Sequence, residues 1–331
     1  MKRFLILLFL VVAVAAGGVY AYLSTRSTGS TGPLTGESVS ASVADRRPIA
    51  VTIDNISPDA RPQSGLDEAS LVFETLAEGG ITRFMAVYLE HDAAMIGPVR
   101  STRLYFNAWA ESLGVIFGHD GGNVDALQQL PSLPDVYNED NDQIAAGSPF
   151  FRISTRAAPH NEYTSTERLR AYAQAHGGSI TGVRMSPPHK DDAPLSARPA
   201  QFSLDVQFSY GDYNVSWAYD RQANDYLRSM GGSTHVEGTT GKQLTAKNVI
   251  VMFTDETPAS DPYTPGAIHM RTEGTGAATV YEDGVAITGT WSKPSVDAPL
   301  QWLDATGNQI KLNRGPTWVE VVPVGNAVTS H

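Results

Sequence analysis

One proline-rich segment divides this sequence into two parts with different local patterns. Residues Met185–Ala200 contain four prolines and indicate a linker between folded units. Strand-like runs mix with predicted helices before this segment, whereas only short alternating runs follow it. The change predicts an α/β or α+β N-terminal domain with a mixed sheet over residues 46–184, followed by a mainly β antiparallel C-terminal domain over residues 201–325. Residues 326–331 are predicted to be a tail.

The N-terminal part contains strand and helix patterns in mixed order. Predicted strands lie at Ile49–Ile53, Leu71–Leu76, Ile81–Leu89 and Val115–Phe117, and predicted helices at Thr102–Leu113, Asn123–Leu130 and Ser165–His176. We expect Ser101 to cap the first of these helices. Thr164 and Glu167 have the spacing of a capping box at the last one.

The C-terminal part contains short alternating runs. Predicted strands lie at Asn214–Tyr219, Val249–Phe253, Ala278–Tyr281, Val285–Trp291 and Trp318–Val322. Asp283 and Gly284 fit a tight turn between two of these strands. Tyrosine and tryptophan side chains are spread along the strands, and we interpret them as core residues rather than as a platform for sugars.

A long apolar run near the N-terminus indicates the cellular location of the protein. Lys2 and Arg3 precede an uninterrupted apolar segment from Phe4 to Leu23, which is long enough to span a membrane. The positive charges favour a cytoplasmic N-terminus and an extracytoplasmic folded part. We predict a single-pass signal anchor in the cell membrane over residues 1–23, with secretion as the alternative if this segment is cleaved. Residues 24–45 are rich in Ser, Thr and Gly and are predicted to be a flexible linker.

The composition excludes several classes of function. The 331 residues carry a formal net charge of −11 and include no cysteine. An acidic chain does not offer the basic face that nucleic acids bind, so we expect no nucleic-acid partner. Without cysteine the chain has no disulfides, no thiolate metal sites and no lipid on an N-terminal cysteine.

Motifs for familiar cofactors and metals are also missing. The sequence has no P-loop, no G-x-S-x-G motif and no H-E-x-x-H motif, and its eight histidines lack the spacing of metal ligands. We therefore predict no cofactor and no metal site. The segment "NEDNDQ", Asn138–Gln143, offers carboxylates but departs from the Ca²⁺-loop pattern, so we prefer to interpret it as a solvated acidic loop.

Polar residues concentrate near the ends of predicted strands in the N-terminal part, where α/β folds usually assemble binding sites. The predicted ligand-binding residues are Asp54, Asn55, Arg61, Arg83, Arg100, Arg103, Asp120, His160 and Asn161. In "IGPVRSTR", Arg100 and Arg103 lie where a helix is predicted to begin, and the free N–H groups there favour an anion. The alternative is a set of internal ion pairs that hold loops together.

One carboxylate raises the question of catalysis. Glu74 lies in the apolar segment "VFETL", and an apolar environment raises a carboxyl pKa toward the range of a general acid. The sequence is therefore consistent with glycan cleavage, with Glu74 as the general acid and His119 or Asp120 assisting. A salt bridge of Glu74 explains the same residues, so the sequence leaves open whether the protein is an enzyme.

Short motifs along both parts form a recognisable set. The N-terminal ones are "AVTIDN", "ARPQSGL", "FETLAEGGITRFMAVY", "IGPVRSTR", "FGHDGG" and "APHNEYTS", and the C-terminal ones include "TTGKQLTAKNVIVMF", "EDGVAITGTW" and "LNRGPTWVEVVP". From about Arg46 to Pro323 the chain resembles the YerB-like putative lipoprotein family, bacterial envelope proteins of unknown function. The resemblance implies the two-domain architecture but attaches no role to any residue. Many relatives look like lipoproteins acylated on a cysteine that this chain lacks.

These observations predict an extracytoplasmic, membrane-anchored envelope protein. We expect it to bind a cell-wall or carboxylate-bearing ligand, such as a peptidoglycan fragment, in a cleft of the N-terminal domain. One of Arg100 and Arg103 is expected to pair internally with Glu74 or Glu78, while the other faces the ligand. Two alternatives remain, a glycan-cleaving enzyme and a scaffold whose C-terminal domain docks another envelope protein through a sheet edge.

Overall fold

The computed structural model describes residues 29–141 and 147–331. The predicted signal anchor and the first five residues of the predicted linker, 24–28, lie outside these described residues. Within the described ranges, no helix is long and apolar enough to cross a membrane.

A ten-stranded mixed sheet forms the centre of the molecule and contains strands from both parts of the chain. In spatial order its strands are β21 (Gln301–Asp304), β20 (Val285–Lys293), β19 (Gly274–Glu282), β16 (Asn248–Thr254), β23 (Thr317–Pro323), β4 (Leu71–Leu76), β5 (Thr82–Tyr88), β3 (Ile49–Ile53), β6 (Ile116–His119) and β7 (Tyr137–Asp140). The two parts of the chain meet where β23 pairs in parallel with β4. The central sheet therefore continues across the predicted domain boundary without a break.

A second sheet packs against one face of the central sheet. Its strands are β14 (Ser233–Thr234), β13 (Asp225–Met230), β12 (Val215–Asp220), β11 (Ser203–Val206) and β24 (Val328–Ser330), with β15 (Thr245–Ala246) pairing beside β14 on β13. Along β12, buried residues alternate with more exposed ones because only one face of this sheet is covered. Trp217 from β12 meets Trp318 from β23 edge to face, with ring centroids 5.5 Å apart, in the core between the sheets.

Short strand pairs and four helices complete the described structure. The strand pairs are β1 (Ser30–Thr31) with β2 (Ser38–Val39), β8 (Phe151–Arg152) with β9 (Glu162–Tyr163), β10 (His189–Lys190) with β22 (Leu312–Asn313), and β17 (Glu256–Pro258) with β18 (Ile268–Met270). The α-helices among the described residues are α1 (Ala41–Ala44), α2 (Leu104–Leu113), α3 (Val124–Gln129) and α4 (Thr166–Ala175). Helix α2 covers the other face of the central sheet, where Trp109 stacks on Phe73 with ring centroids 4.7 Å apart.

The predicted fold class is confirmed. The N-terminal part contributes a mixed sheet with few helices, and the C-terminal part contributes mainly antiparallel strands. The predicted capping box is wrong, because Ser165 is the N-cap of α4 and its hydroxyl accepts a hydrogen bond from the Arg168 N–H. Thr164 instead pairs through its backbone with Ile96.

The prediction of a flexible linker is wrong for residues 29–45, which we call the N-terminal strap. Leu34 is buried in the core, and the backbone N–H groups of Leu34 and Thr35 donate to Oε1 of Glu90 over 2.8 and 3.1 Å. Gly36 has a φ of +70°, and a Cβ at this position would lie 2.4 Å from Cγ of His189. A leucine and a glycine therefore hold the strap in place, although its composition resembles that of a linker.

Two other segments predicted to lie outside the folded units are also packed. In the proline-rich linker 185–200, Nζ of Lys190 contacts Oδ2 of Asp283 at 2.6 Å and Oε1 of Glu282 at 3.2 Å. In the predicted tail 326–331, β24 adds a strand to the second sheet beside β11. The linker also pairs through β10 with β22, so both segments are fixed by distant parts of the chain, which local composition does not reveal.

Candidate functional site

The carboxyl ends of parallel strands meet along one edge of the central sheet, which we call the carboxyl edge. Strands β16, β23 and β4 are parallel neighbours, and so are β3, β6 and β7. Because β5 runs antiparallel to both β3 and β4, the two groups end at the same edge. The polar residues that follow β3, β4 and β6 therefore lie near one another, where α/β folds commonly bind ligands.

Two of the predicted arginines bind one glutamate at this edge. Nη2 of Arg83 lies 3.0 Å from Oε1 of Glu78, and Arg103 donates from Nε and Nη2 to Oε2. Burial raises the pKa of Glu78, but the charges of Arg83 and Arg103 outweigh burial and lower this pKa to about 2. Both guanidinium groups are buried and also donate to the backbone carbonyls of Ser101 and Thr102. Neither is open to a ligand.

The start of helix α2 does not form the predicted anion site. The helix begins at Leu104, and its N-cap is Arg103, whose side chain caps no N–H group. Ser101 was the predicted cap, but its hydroxyl donates to the backbone carbonyl of Asp120 over 2.9 Å. The Arg103 guanidinium binds Glu78 instead, because Glu78 follows the end of β4 at the same edge of the sheet.

The third arginine has a different environment. Nε of Arg100 lies 3.2 Å from Oδ2 of Asp54, and Nδ1 of His160 lies 2.7 Å from the same oxygen. Asp54 is buried, and its Oδ1 accepts the backbone N–H of Ile56 over 3.1 Å. The side chain of Arg100 is 25% exposed. Asp54 contacts only Nε, and no described residue binds the terminal nitrogens Nη1 and Nη2 of Arg100. This guanidinium therefore keeps free N–H donors.

Further predicted residues lie beside Arg100. The backbone N–H of Asp120 donates to the carbonyl of Arg100 over 3.2 Å. Arg152, which the sequence analysis did not select, donates to Oδ1 of Asn161 over 2.9 Å and lies 3.9 Å from Oδ2 of Asp120. The structure thus brings together Asp54, Arg83, Arg100, Arg103, Asp120, His160 and Asn161 at the carboxyl edge.

His119 has a structural environment rather than a catalytic one. Its ring is fully buried, with Nδ1 2.8 Å from the carbonyl oxygen of Gly121 and Nε2 2.7 Å from Oδ1 of Asn138. Both ring nitrogens therefore have partners on neighbouring chain segments. These bonds give His119 no contact with Glu74, which was predicted to share its chemistry.

Glu74 points into the core between the two sheets. It shares this side of β4 with Val72 and Leu76, because alternate residues of a strand face the same way. Glu74 is fully buried and binds Nη2 of Arg228, while the Thr82 hydroxyl donates to its Oε1 over 2.6 Å. The predicted role as a general acid has no support, since a substrate has no access to this carboxylate.

Glu74 and Asn55 belong to a closed set of buried hydrogen bonds, which we call the buried ring. Its members are Glu74, Thr82, Asn55, Gln63, His235 and Arg228. The Asn55 amide donates to the Thr82 hydroxyl over 2.6 Å and accepts from the Gln63 amide over 2.8 Å. Nε of Arg228 donates to Nδ1 of His235 over 2.9 Å, which leaves the other ring nitrogen to donate to Gln63.

A second glutamate shares Arg228 with Glu74. Nη1 of Arg228 donates to Oε1 of Glu320 over 2.7 Å, and the guanidinium carbon lies 4.3 Å from the ring centroid of Trp318. Burial raises the pKa of Glu320 to about 8, although the charge of Arg228 acts in the opposite direction. One buried guanidinium is thus shared by two buried carboxyl groups.

The sequence analysis did not select Arg228, His235 or Glu320. Glu320 lies in "TWVEVVP", where a single charged residue inside an apolar strand was the available signal. Arg228 gave no comparable signal, because strand β13 was not predicted and its alternation became clear only in the structure.

Arg61 lies apart from the arginines of the carboxyl edge. Its Nε donates to Oδ1 of Asn55 over 2.9 Å, and its Nη2 donates to the Asn55 carbonyl over 3.2 Å. Two consecutive residues after β3 therefore hold different arginines, since Asp54 pairs with Arg100.

The predicted acidic loop is only partly solvent-exposed. Asp142 and Gln143 lie outside the described residues, but Glu139 and Asp140 are buried rather than solvated. Burial raises the pKa of Glu139 to about 9, well above the ordinary value of a carboxyl group. In the described part of the chain, no group of three or more His, Asp or Glu side chains is arranged to hold a metal ion.

Comparison with known families identifies the chain. Residues 34–179 match the model of the N-terminal domain of a protein of unknown function, DUF3048, and residues 204–319 match the model of its C-terminal domain. The chain belongs to the DUF3048 family. The resemblance noted from the sequence motifs is thereby confirmed.

Two comparisons with single proteins agree with this assignment. The "Putative lipoprotein YerB" of Bacillus subtilis (strain 168) is 32% identical over 301 residues, which cover 88% of this chain and 86% of the relative. The crystal structure of the YerB protein from Bacillus subtilis superposes with a TM-score of 0.80 at 28% identity, covering 91% of this chain and 99% of that chain.

The two DUF3048 regions meet at the buried ring. Asn55, Gln63 and Glu74 come from the region matched by the N-terminal model, whereas Arg228 and His235 come from the region matched by the C-terminal model. In this DUF3048 protein, the polar residues predicted from the N-terminal part thus serve two purposes. One group forms the carboxyl edge, and the other joins the two regions.

Proposed function

We propose that this DUF3048 protein is an extracytoplasmic envelope protein that binds a carboxylate-bearing component of the cell envelope through Arg100. The envelope location is supported by the apolar run Phe4–Leu23 behind two basic residues. It is also supported by the name of the relative from Bacillus subtilis, a putative lipoprotein.

The observation that supports the site is the difference between Arg100 and the other two arginines. Arg83 and Arg103 are bound to Glu78, whereas the terminal nitrogens of Arg100 bind no other described residue. A planar guanidinium with free terminal N–H groups matches the two oxygens of a carboxylate. Arg100 is therefore the arginine that faces a ligand in this proposal.

Asp54 prepares Arg100 for that role. The buried Asp54 carboxylate contacts Nε of Arg100 and Nδ1 of His160 with one oxygen, so it restrains both side chains from behind. Nε2 of His160 has no hydrogen-bond partner among the described residues, and in this proposal it is the second group that contacts the ligand. A restrained site loses less side-chain entropy when a ligand binds.

Two other hypotheses from the sequence receive less support. Glycan cleavage requires Glu74 to transfer a proton to a substrate oxygen, but Glu74 is fully buried and bound to Arg228. A docking role for the C-terminal part stays a prediction, since no observation on its described sheet edges favours a partner.

The proposal is tested with the full chain in detergent micelles and soluble peptidoglycan fragments that keep their free carboxylates. We expect Arg100→Gln to weaken binding, measured by calorimetry, by about tenfold or more, because a charge-assisted hydrogen bond contributes about 1.5–3 kcal/mol. Arg314→Gln is the matched control, since Arg314 is 49% exposed and pairs with Asp191, away from this site.

Fragments with amidated carboxylates provide the second control. We expect the amidated fragments to bind the unmodified chain weakly. Their affinity should not exceed the affinity of the acidic fragments for the Arg100→Gln chain. Equal binding of acidic and amidated fragments, or an Arg100→Gln chain as tight as the unmodified one, would rule out this site. Mass spectrometry of the same mixtures detects any cleavage products, which would favour an enzyme instead.

A further inference from the structure

A pocket of about 310 Å³ lies between the two DUF3048 regions, and Arg100 is not among its lining residues. One wall is the loop after β3, with Ser57, Pro58 and Arg61. The opposite wall is the turn between β13 and β14, with Met230 and Ser233. Its volume is at the lower end of the range for small-molecule sites, so it suits a small ligand.

The guanidinium of Arg61 is fixed in the wall of this pocket. Three of its five N–H groups donate to the protein: two to Asn55, and one to the backbone carbonyl of Asp212 over 2.9 Å. The guanidinium carbon also lies 5.1 Å from the ring centroid of Tyr213. One N–H on each terminal nitrogen remains unused, which is the arrangement that binds two oxygens of one anion.

The charge of Arg61 is not neutralised locally. No ion pair connects Arg61 to a carboxylate anywhere in residues 29–141 and 147–331, and its three acceptors are neutral oxygens. Burial lowers the pKa of Arg61, and the charges of Glu74 and Asp212, neither of which forms an ion pair with Arg61, offset this only in part. A partly buried cation without a counter-ion is costly, and an anion in the pocket would remove that cost.

The rest of the pocket indicates what else the ligand carries. The hydroxyls of Ser57, Ser233 and Thr234 bind no other described residue, while Met230 and Pro58 supply apolar surface. The ring of His235 forms part of the floor, and both of its nitrogens are occupied within the buried ring. The His235 ring therefore offers no free nitrogen to a ligand in this pocket.

We propose that this pocket binds a small organic anion, with a carboxylate or phosphate group on Arg61 and a short polar body between Ser57 and Ser233. The site is distinct from the one proposed at Arg100, because different side chains, those of Asn55 and Asp54, hold the two arginines. It also lies at the junction of the two regions, so the ligand contacts both.

Met230 provides a local measurement of binding. It is one of seven methionines, and its side chain lines the pocket. We would label the methionine methyl groups with ¹³C in the full chain, assign the Met230 signal with Met230→Leu, and titrate separately with sodium acetate and sodium phosphate at constant ionic strength. Methylammonium chloride is the cation control.

The expected result is a saturable shift of the Met230 signal with acetate or phosphate and none with methylammonium. The more effective anion identifies the charged group. Arg61→Gln should raise the dissociation constant at least tenfold, whereas Asp212→Asn should lower it by removing a negative charge from the pocket wall. Arg314→Gln is the matched control and should leave the dissociation constant unchanged, since Arg314 pairs with Asp191 and does not line the pocket.

Three results would overturn the proposal: a Met230 signal that does not move with either anion, an Arg61→Gln chain that binds as tightly as the unmodified chain, or no gain in Asp212→Asn. The last variant keeps the test decisive even if Arg61→Gln does not fold. Arg100→Gln should leave the Met230 titration unchanged. The test of the pocket can therefore fail or succeed independently of the test of the site proposed at Arg100.

Discussion

Glu320 and Glu74 occupy paired positions on the neighbouring parallel strands β23 and β4, and both bind Arg228. Two carboxylates and one guanidinium cannot all be charged in a dry core without a net negative charge. Burial raises the pKa of Glu320 to about 8, so the folded protein keeps a proton there that the unfolded chain loses near its ordinary value of 4.5. This single proton links folding stability to pH.

We therefore predict that Glu320 makes the protein less stable as pH rises from about 4.5 to 8. Its contribution is fully present below pH 4.5 and is lost through pH 8, with a slope of at most about 1.4 kcal/mol per pH unit. Urea unfolding of the unmodified chain and of Glu320→Gln at pH 5, 6, 7 and 8 measures this slope. Glu320→Gln should flatten the dependence of the free energy of unfolding on pH. Glu273→Gln should not, because Glu273 is exposed. Parallel profiles for all three chains would contradict the assignment.

At the residue scale, the sequence predicted which polar side chains lie together at the carboxyl edge. It did not predict which of them remain available to bind a ligand. Arg83, Arg100 and Arg103 all sit in apolar or strand-end contexts that look alike in the sequence. Their difference depends on Glu78, which the folded chain places between Arg83 and Arg103. Glu74 was misjudged for a similar reason, since its partner Arg228 lies 154 positions further along the chain.

Among the elements, the N-terminal strap departs most from its local sequence. Its Ser, Thr and Gly content is typical of a linker, and two short strands of two residues each contribute little by themselves. The strap is held instead by the burial of Leu34 and by the bonds that the N–H groups of Leu34 and Thr35 donate to Glu90. The Leu34 carbonyl also accepts a hydrogen bond from Nε2 of His189. These are long-range contacts, which a local pattern does not contain.

We predict that a chain beginning at Arg46 is less stable than one beginning at Gly29. The loss should be about 3 kcal/mol or more, because removing Leu34 costs about 1.5–3 kcal/mol of burial and an unpartnered Glu90 costs about 1–3 kcal/mol. Urea unfolding of both chains at pH 7 measures the difference. Glu90→Gln in the shorter chain should recover part of it. Equal stability of the two chains would show that the strap contributes nothing.

For the whole molecule, the strand patterns predicted the two kinds of structure but not how they combine. Ile49–Ile53 and Leu71–Leu76 were predicted with the bounds that the structure shows, because a buried strand leaves a clear apolar run. The pairing of β23 with β4 joins residues near the end of the chain to residues near its start. Register across such a distance leaves no trace in a single sequence.

The shared sheet predicts one cooperative unfolding transition for the whole described chain. Calorimetry should give equal calorimetric and van't Hoff enthalpies, and residues 46–184 or 201–325 expressed alone should lack near-UV circular dichroism. Each fragment would expose the β4–β23 edge and leave the buried ring incomplete. Two separate transitions, or a folded fragment, would contradict this expectation.

The strap also sets how far the protein can stand from the lipid if Phe4–Leu23 is retained as an anchor. With a flexible linker over residues 24–45, the folded body could range over about 75 Å. The described strap, residues 29–45, is bound to the folded body through Glu90, so these residues add no reach between the membrane and the folded body. Glu90 and His189 hold the strap at the edge of the sheet opposite the carboxyl edge. With such an anchor, the edge that carries the strap would lie nearer the lipid than the carboxyl edge that carries Arg100.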